Sequence, residues 1–159
     1  NSDVALSAAK RNQVVSRRSG YEGLVLPDVD VSDSEILGRT FNWKELLAID
    51  QDESEDNVLK KILSQSGVYL QRSLDGTSRY VGSAYSEGGL LTRWLRHLTS
   101  NGNAKHLNFY VLEKGYNEVV FTVLEITPSD TARKVEARWK LTLGTNNDGQ
   151  YDGCRLNCN

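Results

Sequence analysis

Apolar and polar positions along this chain follow helical spacing in some stretches and strand spacing in others. Helical spacing is clearest over residues 89–100, GLLTRWLRHLTS, where Leu91, Trp94, Leu95 and Leu98 recur at i, i+3, i+4 and i+7. Arg93 and His97 stand one turn apart beside that stripe, and Arg96 points to another side. Val58, Leu59, Ile62 and Leu63 predict a helix over 56–65. Ala132, Val135, Trp139 and Leu143 form a third stripe, opened by Pro128-Ser129-Asp130 and closed by Gly144, with Glu136 at its edge. Residues 103–112 are expected to be helical up to Gly115, and Asn42 is placed to cap a short helix that begins at Trp43.

Strand spacing is concentrated in GVYLQRSLDGTSRYVG, residues 67–82. Val68, Tyr69, Leu70, Tyr80 and Val81 favour extended backbone, and Asp75-Gly76 is a strong hairpin signal. A two-residue turn there sets Tyr80 opposite Gln71 and Tyr69 opposite Gly82. Side chains alternate faces along a strand, so Tyr69, Gln71 and Tyr80 then share one face. The tyrosines become diagonal neighbours, and the residues that follow are expected to converge on their face. Residues 117–126, NEVVFTVLEI, read as a largely buried strand.

The first third is less regular. Residues 1–18 read as a polar arm ending in Ser16-Arg17-Arg18, and 21–31 as a short strand broken at Pro27. Asp30, Asp33 and Glu35 read as solvated turn residues, and the acidic run 50–56 as a loop or the charged start of the next helix. After residue 66 the order is strand, strand, helix, helix, strand, helix. This predicts an α+β domain over 67–159, with a small central antiparallel sheet (the hairpin plus a third strand) flanked by helices. Residues 1–66 form an irregular N-terminal extension of arm, short strand and helical segments.

Length and composition sharpen this picture only a little. The 159 residues suit about one ordinary domain, with 38% hydrophobic and 25% charged positions. No apolar run approaches the ~18–20 residues of a membrane span and no secretory leader is visible, so the expected compartment is cytoplasmic, with no membrane partner. In that compartment Cys154 and Cys158 are expected to be free thiols. The chain has no Met and begins at Asn1, as a processed chain or a piece of a longer one would. The net charge of −2 does not announce a nucleic-acid binder. It is unevenly spread, however: residues 1–66 carry 8 Lys/Arg against 12 Asp/Glu, and residues 67–159 carry 11 against 9. A surface that attracts phosphates would have to lie in the second part.

The candidate chemistry is open at the level of single residues. Glu136, flanked by Arg133 at i−3 and Lys140 at i+4, fits either a helix-surface ion pair or a one-carboxylate Mg²⁺ site completed by water and phosphate. Tyr69 and Tyr80 fit core packing. As proton acceptors they would need cations or hydrogen bonds that favour the phenolate, because a free phenol has a pKa near ~10. Arg93 fits a solvated helix position or a fork onto phosphate oxygens, and His97 a hydrogen-bonded surface position or a proton carrier.

Taken together, these residues are similar to the GIY-YIG nuclease family. Gly67-Val68-Tyr69 and Tyr80-Val81-Gly82 match its paired motifs, with Val68 in place of Ile. YVGSA at 80–84, Arg93 and His97 in TRWLRH, Glu136 before Trp139, and Asn157 in the closing LNCN follow in family order. The resemblance covers residues 67–159, with a weaker likeness over 19–47. It implies a divalent-metal-dependent endonuclease that cuts one phosphodiester bond of DNA per site, with Mg²⁺ or Mn²⁺ held by Glu136. Tyr69 would be the general base on the attacking water or would position it, and Tyr80 would support it. Arg93 would neutralise phosphate charge, and His97 would assist proton transfer or hold the water. Asn157, Arg96 and Lys105 would meet the substrate or close the site. Among Asn103, Lys105 and His106 the resemblance does not single out a further polar ligand. A homodimer or an additional DNA-binding domain would supply sequence selectivity, as in the catalytic part of a larger restriction, repair or mobile-element nuclease. The other reading is an inactive binding module on the same fold, which would be expected to lack the glutamate or the arginine that this chain has.

Overall fold

The computed structural model describes residues 33–99 and 104–158. The expected arm at 1–18, the strand at 21–31, Asp30 and Asn103 lie outside them. Four strands pair antiparallel: β1 (Thr40–Phe41), β2 (Gly67–Ser73), β3 (Arg79–Ala84) and β4 (Val119–Ile126), in spatial order β1-β4-β2-β3. The helices are α1 (Asp33–Ile36), α2 (Trp43–Gln51), α3 (Val58–Leu63), α4 (Gly89–Thr99), α5 (Lys105–Lys114) and α6 (Ala132–Leu143). This is the expected α+β architecture, with one strand more than expected. The addition, β1, lies in the N-terminal segment and contributes Phe41 to the core without any exposure to solvent. A two-residue edge strand is too short to leave a periodic signature in sequence.

The hairpin has the expected register, Tyr69 opposite Gly82 and Tyr80 opposite Gln71, but its turn is different. Residues 74–77 form a four-residue loop, closed by Ser73 N–H donating to the Ser78 carbonyl at 2.9 Å. Asp75 organises the loop, with Oδ1 accepting from Ser73 Oγ (2.7 Å), Thr77 N–H (3.1 Å) and Thr77 Oγ1 (2.9 Å). These donors hold its carboxyl down at about 2. Two- and four-residue loops centred on the same pair give the same register, so the faces are unchanged.

The two faces of the sheet carry different layers. On one, Tyr69, Trp94, Phe121 and Val123 pack with Leu46, Ile49, Leu59 and Leu63 from α2 and α3. Tyr69 and Trp94 meet edge to face, with ring centroids 5.8 Å apart. On the other, Val68, Leu70 and Val81 pack against Val135, with Leu124, Trp139 and Leu143 around them. Val58 stands outside the expected α3 stripe at 42% exposure, whereas Leu59, Ile62 and Leu63 are buried. Asn42 caps α2 in a reciprocal box with Glu45 (2.8 and 3.0 Å). Asp52, in the acidic run, is buried just past α2 and accepts from Ser54 N–H at 3.1 Å. The cap expected at 128–130 falls one residue later, at Thr131.

Because β3 is an edge strand, its outer side needs cover. The C-terminal segment supplies it along one half. Arg79 N–H donates to the Cys154 carbonyl (2.8 Å) and Leu156 N–H to the Arg79 carbonyl (3.0 Å). Beyond Val81 this cover stops. Both cysteines are free thiols, as expected. No helix among the described residues is long and apolar enough to cross a membrane.

Candidate functional site

The uncovered half of β3 borders a cavity of about 380 Å³. It wraps around the sheet edge, so α4 reaches it from one face and α6 from the other. Tyr80, Arg93 and Arg96 line it from the first side, and Glu136, Arg133 and Lys140 from the second. This corrects one expectation: the glutamate does not join the tyrosines on their own face but meets them around the edge of β3.

On the α4 side the groups form a tight cluster. Tyr69 is completely buried, and its hydroxyl lies 2.8 Å from His97 Nε2. His97 is itself 2% exposed, so the expected stripe widens to take in a histidine that the sequence placed beside it. The Tyr80 ring meets the His97 ring edge-on, with centroids 5.9 Å apart. The Arg93 guanidinium lies beside both phenols and favours their ionised forms. Burial raises the Tyr69 hydroxyl well above the ordinary phenol value, Tyr80 adds to the rise, and Arg93 only partly offsets it. Burial also pushes Tyr80 up to about 12, with the Glu136 carboxylate adding to it and Arg93 opposing it. Both phenols are therefore neutral at pH 7. Tyr80 reaches the cavity, whereas Tyr69 is sealed behind it.

Two glycines make this packing possible. A Cβ on Gly82 would sit 2.5 Å from Cζ and the hydroxyl oxygen of Tyr69, whose ring lies across that glycine. A Cβ on Gly67 would sit 2.5 Å from the Glu125 carbonyl, where the β2–β4 register shifts between Val68 and Tyr69. Both are cases of close approach that no side chain permits.

On the α6 side, Glu136 Oε1 accepts a hydrogen bond from Ser83 Oγ, and Oε2 pairs with Lys140 Nζ at 2.6 Å. The ion-pair reading of Glu136 therefore holds in this state, and the same carboxylate faces the cavity. Among the described residues no cluster of three or more His, Cys, Asp or Glu could hold a metal ion by itself. A single carboxylate beside a hydroxyl, at the wall of a polar cavity, fits a hard divalent cation that draws its remaining oxygen ligands from water and phosphate.

Three expected residues stand apart. Asn157 is 3% exposed, and both ends of its amide are hydrogen-bonded. Oδ1 accepts from Val81 N–H (2.8 Å) and Thr145 Oγ1 (2.7 Å), and Nδ2 donates to the Val81 carbonyl (2.8 Å). It pins the C-terminal segment to β3 and does not line the cavity. Lys105 is exposed at the start of α5 and does not line the cavity. His106 is buried, with Nε2 3.0 Å from the Asn147 carbonyl, and does not line it either. Conversely, Ser83 belongs to the site although the sequence did not mark it. Strand alternation carried the signal: Ser83 faces opposite to Tyr80, toward the helix that bears Glu136.

The GIY-YIG catalytic domain matches residues 65–149, more than half of the chain. No curated protein and no solved structure matches it.

Proposed function

The chain belongs to the GIY-YIG catalytic-domain family, and on that premise we propose that it is a divalent-metal-dependent endonuclease hydrolysing phosphodiester bonds in DNA. The observation that carries this reading is the cavity at the β3 edge, where Glu136 and Tyr80 stand among Arg93, Arg96, Arg133 and Lys140, with Glu87 and Tyr85 also on its wall. Phosphoryl chemistry asks mainly for positioning and charge neutralisation, and this set supplies both.

Glu136, with Ser83 beside it, would hold Mg²⁺ or Mn²⁺. When bound, the ion supplies positive charge to the scissile phosphate and the leaving 3′ oxygen. Arg93 forks onto the phosphate and neutralises charge that grows as the bond breaks. The base role that the family resemblance implies for Tyr69 falls instead to Tyr80. Tyr69 has no access to the cavity, whereas Tyr80 lines it and can accept a proton from an entering water. With the cavity's own cations in place the Tyr80 phenol still stands at about 12, so a bound dication would have to add to the lowering that Arg93 supplies for it to act as a base. Tyr69, fixed by His97 and Gly82, holds Arg93 in place and is a positioning residue.

The test is nicking of supercoiled plasmid DNA with Mg²⁺ or Mn²⁺, alongside linear, branched and single-stranded substrates. Glu136→Gln and Arg93→Ala are expected to lower the rate at least about 100-fold with the fold intact. Tyr80→Phe is expected to lose more activity than Tyr69→Phe. Undiminished cleavage by Glu136→Gln, or in excess EDTA, would sink the mechanism.

A further inference from the structure

The pairing of Glu136 with Lys140 raises a question that the proposed chemistry leaves open. The carboxylate expected to hold a dication already carries an ammonium 2.6 Å from Oε2 and a hydroxyl donor on Oε1. The pair is largely withdrawn from solvent, with side-chain exposures of 13% for Lys140 and 20% for Glu136. It is therefore not one of the loose surface pairs that contribute little. Glutamate four residues before lysine is also the favourable orientation along a helix. With both oxygens engaged, the carboxylate is neutralised. A dication entering here would meet a fixed positive charge at the oxygen it needs.

We propose that Lys140 is a resident counter-ion that the substrate displaces, so that metal and phosphodiester bind this site cooperatively. This rests on the nuclease reading above. Lys140 lines the same cavity as Arg93, Arg96 and Arg133, so a phosphate there lies within reach of its flexible stem. An ammonium binds phosphate as a point charge and needs no fixed fork, so it can change partners without rebuilding the site. Once it has turned to phosphate, Glu136 is open to the cation. Without substrate, the Glu136 carboxylate stays paired with Lys140 and holds metal weakly. Lys140 thereby contacts the substrate and times the arrival of the metal.

By linkage, whatever the phosphodiester adds to metal affinity the metal adds to phosphodiester affinity. The experiment is a Mn²⁺ titration followed by electron paramagnetic resonance, with and without a short DNA duplex carrying a non-cleavable phosphorothioate linkage. Wild type, Lys140→Gln and Lys140→Arg are compared. Without DNA, Lys140→Gln is expected to bind Mn²⁺ about tenfold more tightly than wild type, the scale of one charge-assisted hydrogen bond. DNA should tighten Mn²⁺ binding to wild type but add little for Lys140→Gln. Lys140→Arg retains the positive charge and should behave like wild type without DNA. Equal Mn²⁺ affinity in wild type and Lys140→Gln without DNA overturns the proposal. If wild type still nicks plasmid in Mg²⁺, the nuclease reading survives that result. If no protein binds Mn²⁺ and wild type does not cut, both fail.

Discussion

Gly82 shows how much a single position can carry. The Tyr69 ring lies across it, and a methyl group there would overlap the phenol. Gly82→Ala is expected to destabilise the fold by about 1–3 kcal/mol, the usual scale for forcing volume into a packed core. A lower denaturant midpoint with an unchanged slope would check this. Activity should fall further than stability accounts for, because Tyr69 and its bond to His97 move together. The phenols also set a pH dependence. In the unfolded chain Tyr80 titrates near ~10, and in the fold at about 12. The folded state keeps its proton longer. The resulting stability is therefore fully present below pH ~10 and is lost as pH rises from there toward 12. Urea titrations at pH 9 and pH 11 should show a smaller loss for Tyr80→Phe than for wild type. An equal loss would mean that Tyr80 does not titrate high in the fold.

The elements divide by how far their making is local. Helix α4 was legible because Leu91, Trp94, Leu95 and Leu98 recur at helical spacing, and the hairpin because Asp75-Gly76 marks its centre. Strand β1 was not, since Thr40 and Phe41 are extended only by pairing with Thr122 and Phe121, far along the chain. The site divides in the same way. Tyr80, Arg93 and Glu136 were legible as candidates, but their convergence depends on β3 being an edge strand with α4 and α6 on opposite faces. Sheet order is a long-range outcome that no local spacing encodes. Asn157 is the clearest case. In sequence it closes the chain in a family motif, and only the fold shows its amide spent on Val81 and Thr145. Asn157→Ala strips partners from a buried backbone N–H and carbonyl of β3. It should cost about 2–4 kcal/mol, as expected for several buried polar groups left unsatisfied. At a temperature where the variant stays folded, its KM for DNA should remain near wild type. A raised KM with normal stability would instead place Asn157 on the substrate.

At the scale of the molecule, the proposed function requires a chain of net charge −2 to hold a polyanion. The cations are concentrated rather than abundant: Arg93, Arg96, Arg133 and Lys140 all border one cavity. Residues 1–66 carry four more acidic than basic groups and would repel DNA that strayed across them. On the proposed reading, such a surface would grip the phosphates near the scissile bond and little else. Counterion release makes this measurable, because log affinity falls with log salt by about 0.9 per neutralised phosphate. If each of the four cations takes one phosphate, the slope should be roughly −3.6, with weak overall affinity and little preference for base sequence. Fluorescence anisotropy of a labelled duplex over a salt series, with Glu136→Gln to prevent cutting, would give the slope. Removing Arg96 or Arg133 should flatten it by roughly 0.9 each. A slope beyond about −7 would require many more contacts than one cavity offers. It would point to a second copy of the chain or an additional domain sharing the duplex, which the hydrodynamic mass of the complex would then reveal.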